Sequence, residues 1–159
     1  MMKAMFPGTF DPPTNGHLNL IERAAAIFDK LYIIIADNSA KTCTFSVEER
    51  RTMLQQLLLQ YKNIEVLSWD RMIVDFAREY DVKVMLRGVR ALADFSYEFE
   101  LAMTNKQLNP DIEIFFMPTD PQYFVLRSSA IKELASFGAD ISKMVPAEVA
   151  SLLIKKIKK

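Results

Sequence analysis

The residues best suited to chemistry lie near the N-terminus, at positions 9–17, whose sequence is TFDPPTNGH. A short apolar run precedes them and apolar residues at helical spacing follow, which predicts a strand, a loop and a helix that opens at Gly16 and His17. A helix start leaves backbone N–H groups unpaired and carries a partial positive charge, so it suits an anion. The helix dipole disfavours a protonated His17, the only histidine of the chain, but a neutral ring can still donate one hydrogen bond to a phosphate oxygen. The pattern therefore predicts a phosphate-binding site.

Two arginines are the next candidates for binding phosphate. Arg87 and Arg90 lie at the end of a predicted strand and enclose Gly88, which lets the backbone turn or approach a ligand. Guanidinium groups are suited to bidentate contacts with phosphate. Surface ion pairs with Asp94 or Glu98 explain the same two arginines equally well, so this motif alone leaves both interpretations open.

Three further polar residues lie in a loop or at a predicted helix start. Lys41 is in a loop, where exposure to solvent is the simpler interpretation. It is a candidate site residue only because the strand ends converge. Ser128 and Ser129 stand where a helix begins. Capping that helix and binding the terminal phosphates of a nucleotide explain these two hydroxyl groups about equally, and the two roles are compatible.

The whole chain alternates short apolar runs with longer segments at helical spacing. The runs are typical of parallel strands covered on both faces, and they lie at 3–6, 31–36, 64–68, 82–87 and 112–117. Helices are predicted from residue 16, after a capping box at Ser46, and at 72–80, 94–108, 128–137 and 146–158. This order predicts a single α/β domain over residues 1–159, a doubly wound five-stranded parallel sheet with helices on both faces. Because ligands of such sheets bind beyond the carboxyl ends of the strands, one cleft could collect the candidate residues.

Composition excludes several classes of protein. The 159 residues carry 20 basic and 20 acidic side chains, and this formal neutrality gives no overall field for holding nucleic acid or an anionic membrane. The single Cys43 excludes an intrachain disulfide and fits a reducing cytoplasm, and neither a signal peptide nor a membrane span is expected. Without Cys/His clusters, a Gly-Lys-Ser/Thr loop or a G-x-G-x-x-G pattern, we expect no structural or catalytic zinc, no P-loop kinase and no dinucleotide dehydrogenase.

Several separated motifs resemble those of one known family. Residues 8–12 (GTFDP) and 14–17 (TNGH) resemble the T/H-x-G-H signature of the nucleotidyltransferase superfamily. Within it, Thr14 and the segments 87–91 (RGVRA), 94–98 (DFSYE) and 128–133 (SSAIKE) are similar to the bacterial phosphopantetheine adenylyltransferases, from about Lys3 to the final helix. The resemblance implies a Rossmann-like nucleotidyltransferase fold, a cytoplasmic enzyme and a homohexamer. The apolar-rich segment 95–108 is compatible with burial between subunits, and equally with packing on the sheet.

The resemblance also implies a reaction and a set of site residues. The reaction is adenylyl transfer from ATP to 4′-phosphopantetheine, by in-line attack without a covalent intermediate, and magnesium would accompany ATP. Catalytic roles are implied for His17, at the α-phosphate, and for Thr9, Lys41 and Arg87, at the nucleophilic phosphate. The pantetheine arm would contact Met72, Ile73 and Asn105. ATP would contact Thr9, Phe10, His17, Gly88, Val89, Arg90, Glu98, Tyr123, Phe124, Val125, Leu126, Arg127, Ser128 and Ser129.

Two departures from the family pattern leave questions open. The family usually has three serines before its last catalytic helix, whereas here Arg127 precedes Ser128 and Ser129. The Arg127 side chain either contacts a terminal phosphate or points into solvent. Thr42 and Cys43 replace a more usual basic residue and proline, so the resemblance does not fix the conformation of that loop.

Two other functions fit parts of the pattern. A nucleotidyltransferase of the same fold that uses nicotinamide mononucleotide or a phospho-alcohol commonly has histidine where this chain has Thr14. A module that senses nucleotides without turnover would not need Thr9, Lys41 and Arg87 on the nucleophile side. Release of pyrophosphate from ATP and phosphopantetheine distinguishes these hypotheses.

Overall fold

The computed structural model describes residues 1–38, 40–124 and 127–158. Its centre is a sheet of five parallel strands in the order β3-β2-β1-β4-β5. The strands are β1 (Lys3–Gly8), β2 (Lys30–Ala36), β3 (Ile64–Trp69), β4 (Val84–Val89) and β5 (Glu113–Pro118). The predicted doubly wound parallel sheet is confirmed, and no strand end differs from its predicted position by more than two residues.

Helices connect the strands and follow the last one. In the described residues they are α1 (Asn15–Ala25), α2 (Val47–Leu57), α3 (Ile73–Glu79), α4 (Leu92–Leu108), α5 (Ser128–Ser136) and α6 (Ala147–Ile157), with a short 3-10 helix at Pro121–Tyr123. Ser46 forms the predicted capping box, since its hydroxyl accepts from the N–H of Glu49 and its own N–H donates to the Glu49 carboxylate. Pro146, the first residue of the helix predicted at 146–158, lies at the N-cap of α6.

Successive side chains of each strand point to opposite faces of the sheet. In β1 and β2, Phe6, Ile33 and Ile35 belong to the apolar cluster that includes α1 and α2. Met5 and Ile34 belong to the cluster on the other face, with α3. All five side chains are buried. This two-sided burial is the reason that the strands are continuous apolar runs rather than alternating ones.

A third apolar cluster is formed by helices and loops. It joins Phe45, just before α2, and Met53 of α2 with Ile131 of α5 and with Val149 and Leu153 of α6. Each of these side chains is buried. The loop before α2 is therefore fixed relative to α5 and α6, although these elements are far apart in sequence.

The Leu20 side chain of α1 lies directly against Gly88, near the end of β4. A Cβ atom at this position would lie 2.4 Å from Cδ1 of Leu20 in α1, far inside contact distance. Gly88 therefore leaves room for the Leu20 side chain of α1. Helix packing explains this glycine in addition to any approach of a ligand.

Most apolar side chains of α4 are not covered by this chain. Ala102 is its buried residue, whereas Phe99 and Met103 are 46 % and 50 % exposed. Phe95 contacts Phe116 of β5 edge-to-face at 5.1 Å, so the helix touches the sheet with only part of its apolar surface. Neither α4 nor any other helix among the described residues is long and apolar enough to cross a membrane.

Candidate active site

A cavity of about 630 Å³ lies at the carboxyl ends of β1 and β4. Strand order reverses at this point, because β2 and β3 lie on one side of β1 whereas β4 and β5 lie on the other. Ligands of doubly wound sheets bind at such a position. The predicted residues that the structure brings together in the lining are Thr9, Phe10, His17, Lys41, Arg87, Gly88, Arg90, Glu98, Tyr123, Arg127, Ser128 and Ser129.

Other predicted site residues lie outside this lining, and their binding roles stay predictions. Met72 and Ile73 lie at the start of α3, after the edge strand β3, and Asn105 lies near the end of α4. Of the predicted ATP contacts, Val89 and Phe124 do not line the cavity. Val125 and Leu126 fall outside the described residues.

The lining is positive although the chain as a whole is formally neutral. Its charged side chains, with His17 neutral, are the cations of Lys41, Arg87, Arg90, Arg127 and Lys132 and the carboxylates of Asp11 and Glu98. A concave site with an excess of one sign of charge concentrates ions of the other sign. The cavity therefore suits an anionic ligand, in agreement with the phosphate site that residues 9–17 predict.

His17 is held at the start of α1 by reciprocal hydrogen bonds with Thr14. The Thr14 hydroxyl accepts from the backbone N–H of His17 at 3.2 Å, and Nδ1 of His17 accepts from the backbone N–H of Thr14 at 3.1 Å. Histidine thus takes the place that Glu or Gln has in the usual capping box. Because Nδ1 accepts, the proton of the neutral ring is assigned to Nε2. This Nε2–H is the donor that the ring can offer to a ligand in the cavity.

Desolvation and one neighbouring charge keep this half-buried ring neutral. Desolvation, and to a smaller extent the positive charge of Arg90, lower the pKa of His17 from its ordinary 6.5 to about 4. This lowered pKa agrees with the neutral ring predicted from the sequence, and the larger of its two causes is desolvation. His17 is therefore a hydrogen-bond donor, and not a cation, at neutral pH.

We expect the ring resonances of His17 to stay constant as the pH falls from about 8 to about 5, because its pKa lies below this range. The ring is the only histidine, so an NMR titration of isotope-labelled protein can follow it without ambiguity. The unfolded chain takes up this proton first, so the folded state should lose stability as the pH falls from 6.5 towards 4. Arg90→Gln removes the smaller cause and should raise the pKa only in part. A wild-type midpoint at 6.5 would contradict the desolvation of the ring.

Phe10 supports the ring of His17. Its buried side chain makes edge-to-face contacts with Phe6 and His17, at centroid distances of 5.7 Å and 5.0 Å. Its φ of +51° lies in the left-handed region, which bulky residues rarely adopt and which persists only where the surroundings fix it. The Phe10 side chain thus packs against His17, and its predicted contact with ATP stays a prediction.

Arg87 forms the ion pair with Glu98 that was one interpretation of its sequence. Nε and Nη2 of Arg87 donate to the two carboxylate oxygens of Glu98 at 2.5 Å and 2.8 Å, and Nη1 donates to the carbonyl of Pro7 at 3.1 Å. Both charged side chains line the cavity. The two interpretations are therefore compatible, since the ion pair holds the guanidinium group at the cavity wall.

Asp94 holds two further arginines beside the cavity. Its Oδ2 accepts from Nε of Arg90 at 3.1 Å, and its Oδ1 accepts from Nη2 of Arg127 at 2.9 Å. Because Asp94 lies in the first turn of α4 and Arg127 directly precedes α5, this carboxylate links two helix starts. Arg127 lines the cavity while 56 % of its side chain is exposed. The Arg127 side chain therefore lies at the rim of the cavity, which leaves it partly in contact with solvent and partly accessible to a ligand.

Neither serine caps α5, so the capping interpretation of the sequence is wrong. Arg127 occupies the N-cap without a side-chain capping bond, and Ser128 and Ser129 lie inside the first turn. The Ser128 hydroxyl instead donates to the carbonyl of Pro12 at 2.9 Å. Among the described residues, no side chain caps the first N–H groups of α5. Ser128 and Ser129 of this first turn line the positive cavity, and such a helix start suits an anion.

Sequence reasoning missed Asp11 and Lys132 as residues of the site. The buried Asp11 carboxylate accepts from the backbone N–H groups of Thr44 and Phe45, both at 2.8 Å, and from the ammonium group of Lys132 at 2.9 Å. Lys132 is 121 positions away in sequence. The one available signal, a carboxylate within the motif TFDPP, does not reveal such distant partners.

Fold and site together define a class of enzymes, the nucleotidyltransferases. Residues 5–134 match the family model described as cytidylyltransferase-like. A crystal structure of a candidate nicotinate-nucleotide adenylyltransferase from Vibrio parahaemolyticus has a TM-score of 0.72, with 99 % of this chain and 95 % of that one covered. At 17 % identity this likeness shows the fold alone.

More similar relatives narrow the class to one family. Proteins named phosphopantetheine adenylyltransferase from Dictyoglomus turgidum, Clostridium tetani and Prochlorococcus marinus are 44 %, 46 % and 49 % identical to this chain. The alignments cover 99 %, 96 % and 93 % of this chain, and 99 %, 96 % and 94 % of the relatives. The chain belongs to the phosphopantetheine adenylyltransferase family, as the motifs implied.

Proposed function

We propose that this chain transfers the adenylyl group of ATP to 4′-phosphopantetheine, giving dephospho-coenzyme A and pyrophosphate in the penultimate step of coenzyme A synthesis. The observation that supports this most directly is the positive cavity at the switch point of the sheet, in a chain without net charge. Two phosphate-bearing reactants repel each other, and the cations of the lining offset this repulsion.

The proposed chemistry is one in-line displacement at the α-phosphorus of ATP. A phosphate oxygen of phosphopantetheine forms the new P–O bond, the bond to the β-phosphate oxygen breaks, and pyrophosphate leaves with the electron pair. The attacking phosphate is already an anion near neutral pH, so no general base is needed. A single neutral histidine whose Nδ1 is occupied by a hydrogen bond is consistent with this scheme. Catalysis then rests on alignment and on the stabilisation of charge.

His17 is assigned to the α-phosphate. Negative charge grows on the non-bridging oxygens as the five-coordinate transition state forms, and a fixed donor stabilises it there. Thr14 and Phe10 hold the ring through the capping box and an edge-to-face contact. The Nε2–H group therefore needs little reorganisation when the charge develops.

Thr9, Lys41 and Arg87 are assigned to the nucleophilic phosphate. Thr9 follows β1, Lys41 follows β2 and Arg87 lies near the end of β4. These three strands are neighbours in the sheet, and all three residues line the cavity. The other lining cations are each paired with a carboxylate. Within the described residues, no carboxylate lies at ion-pair distance from Lys41, so its charge is left for the substrate.

The remaining contacts follow the family assignments. Arg90, Glu98 and the first turn of α5 are proposed to bind ATP, with Gly88 and Val89 contributing backbone. The pantetheine arm is proposed to extend towards Met72 and Ile73.

Magnesium is proposed to arrive with ATP. Mg²⁺ keeps several waters and prefers substrate phosphates to an all-protein cage. The described residues contain no cluster of three His, Cys, Asp or Glu side chains that could hold a metal. The Asp11 carboxylate in the lining already accepts three hydrogen bonds. These residues fit a metal ion carried by the triphosphate, which would neutralise part of the phosphate charge.

Incubation of the chain with ATP, Mg²⁺ and 4′-phosphopantetheine tests this function. We expect pyrophosphate and dephospho-coenzyme A in equal amounts. Nicotinamide mononucleotide, offered instead of phosphopantetheine, tests the alternative enzyme and should release no pyrophosphate. Binding of ATP in a calorimeter without any pyrophosphate release would favour a nucleotide sensor and contradict the proposal.

A cytoplasmic homohexamer is part of the same proposal. The open apolar face of α4, where Phe99 and Met103 are about half exposed, supports burial between subunits. Light scattering should give the mass of a hexamer of 18.3 kDa chains. A monomer mass at the concentrations used for the activity assay would contradict the assembly but not the reaction.

Arg127→Ser should weaken ATP binding by about two- to fivefold at low salt, the range of an exposed charge contact. If the guanidinium group at the rim reaches the terminal phosphates, the loss shrinks as salt rises, because the Debye length is about 8 Å at physiological ionic strength. Calorimetry at two salt concentrations measures this. Arg78→Ser is the control, since Arg78 is similarly exposed at 54 % but lies on α3 outside the lining. Equal ATP affinities of wild type and Arg127→Ser at both salt concentrations would place Arg127 in solvent.

A further inference from the structure

Arg50 is a buried cation in an unfavourable place. The residue is 3 % exposed and lies in the first turn of α2, where the helix dipole disfavours a positive charge. Among the described residues, no carboxylate forms an ion pair with it. A buried charge without an anion is costly, and an apolar side chain of similar size would pack at lower cost. Packing of α2 therefore does not explain this arginine.

The hydrogen bonds of Arg50 join two segments of the proposed site. Its Nη1 donates to the carbonyl of Thr9 at 2.8 Å, and its Nε donates to the carbonyls of Phe45 at 3.1 Å and Ser46 at 3.3 Å. Thr9 directly follows β1, and Phe45 ends the loop that carries Lys41. One side chain thus connects the two segments that are assigned to the nucleophilic phosphate.

Asp11 connects the same two segments, because its carboxylate accepts from backbone N–H groups at the end of the Lys41 loop. It accepts from the N–H of Phe45, whose carbonyl accepts from Arg50, so both backbone polar groups of Phe45 are bonded to these two side chains. The Phe45 ring is 2 % exposed and packs in the apolar cluster with α5 and α6. The end of the loop is therefore fixed through its backbone and its side chain, four positions from Lys41.

We propose that Arg50 is a positioning residue for the nucleophile, which sets the separation between Thr9 and Lys41 so that both contact one phosphate. This role rests on the proposed function. Arginine suits it because its planar, rigid guanidinium group can reach carbonyls of both segments in a fixed geometry. Arg50 does not line the cavity and acts through the backbone of Thr9, Phe45 and Ser46.

Steady-state kinetics of Arg50→Met, with each substrate varied in turn, test this role. We expect a higher KM for phosphopantetheine and a lower kcat, together on the order of tenfold, since a misplacement of about 1 Å can cost up to about 10²-fold. The KM for ATP should stay within about twofold, because Arg50 lies on the nucleophile side. Arg50→Lys, which can still donate to one carbonyl, should recover part of the loss.

Arg51→Met is the matched control. Arg51 is the next residue of α2, pairs with Glu48 at 3.0 Å and does not line the cavity. We expect wild-type kinetic constants for it. Thermal unfolding of every variant shows how much folded enzyme each assay contains. If Arg50→Met does not fold, Arg50→Lys and Arg50→Gln carry the same comparison.

A double-mutant cycle with Lys41→Ala decides how Arg50 acts. If it acts by placing Lys41, Arg50→Met should cost less than about twofold in the Lys41→Ala background, because the two effects are coupled. Fully multiplicative effects, equal rises in both KM values, or a lower melting temperature with unchanged kinetics would each overturn the positioning role. A failure of the proposed function is distinguishable, since wild type and Arg51→Met would then release no pyrophosphate, and the positioning role would fall with it.

Discussion

Replacement of His17 by alanine should lower kcat by about 10²- to 10³-fold, the usual cost of losing one donor to a transition-state oxyanion. The ring is neutral, because its pKa is about 4, and its Nδ1 is occupied by the backbone of Thr14. What the variant removes is therefore the Nε2–H donor rather than a base or a cation. Initial rates of pyrophosphate release at saturating ATP and phosphopantetheine measure the loss, and circular dichroism shows whether the variant is folded.

His17→Asn separates this catalytic effect from the loss of the helix cap. Alanine leaves the N–H of Thr14 without its partner, and a lost cap costs about 1 kcal/mol of stability. The side-chain oxygen of asparagine falls near the position of Nδ1, so it can keep the cap, but asparagine has no donor at the position of Nε2. We expect stability close to wild type together with the low kcat of the alanine variant. A wild-type kcat in either variant would remove His17 from the mechanism.

The fold was predictable because its determinants are local in sequence. Continuous apolar runs mark strands that are buried on both faces, as Ile33 and Ile34 of β2 show by packing on opposite sides. The capping box of Ser46 marks a helix start to the residue. Once the alternation of strands and helices is recognised, the carboxyl ends of the strands must lie at one edge, and that rule alone gathers most of the site.

The contacts that shape the site were not predictable, because they join residues distant in sequence. Asp11 and Lys132 are 121 positions apart, and Arg50 and Thr9 are 41 apart. Charge alone could suggest many partners for each. The same limit applies to Asp94. The sequence suggested an ion pair with a nearby arginine, but it did not reveal the contact with Arg127.

Helix α4 shows a different limit of sequence patterns. Its apolar residues predict that one face is covered, but periodicity does not say by what. The chain itself buries Ala102 and leaves Phe99 and Met103 about half exposed. The prediction that Ser128 or Ser129 caps α5 was also wrong. Arg127 occupies the N-cap, so both serine hydroxyl groups lie in the first turn of the helix.

Lys41→Ala should lower kcat/KM for phosphopantetheine by on the order of 10²-fold, within the range for a hydrogen bond to a charged group. Lys41 lines the cavity, and no carboxylate among the described residues pairs with its ammonium group. Its charge is therefore fully available to the nucleophilic phosphate, which it both attracts and orients. The loss should appear as a higher KM for phosphopantetheine and a lower kcat, because an unaligned nucleophile also reacts more slowly.

Binding of ATP alone should change much less in Lys41→Ala, since the lysine lies on the nucleophile side of the site. Calorimetry with ATP and with phosphopantetheine separately, in the absence of turnover, measures the two affinities. Lys41→Arg keeps the charge and should recover part of the activity, whereas Lys83→Ala, an exposed lysine outside the lining, should behave as wild type. A collapse of ATP affinity with unchanged phosphopantetheine affinity would assign Lys41 to the triphosphate. In that case Arg50, which we place behind the Lys41 loop, would have to affect ATP as well, so the two experiments constrain each other.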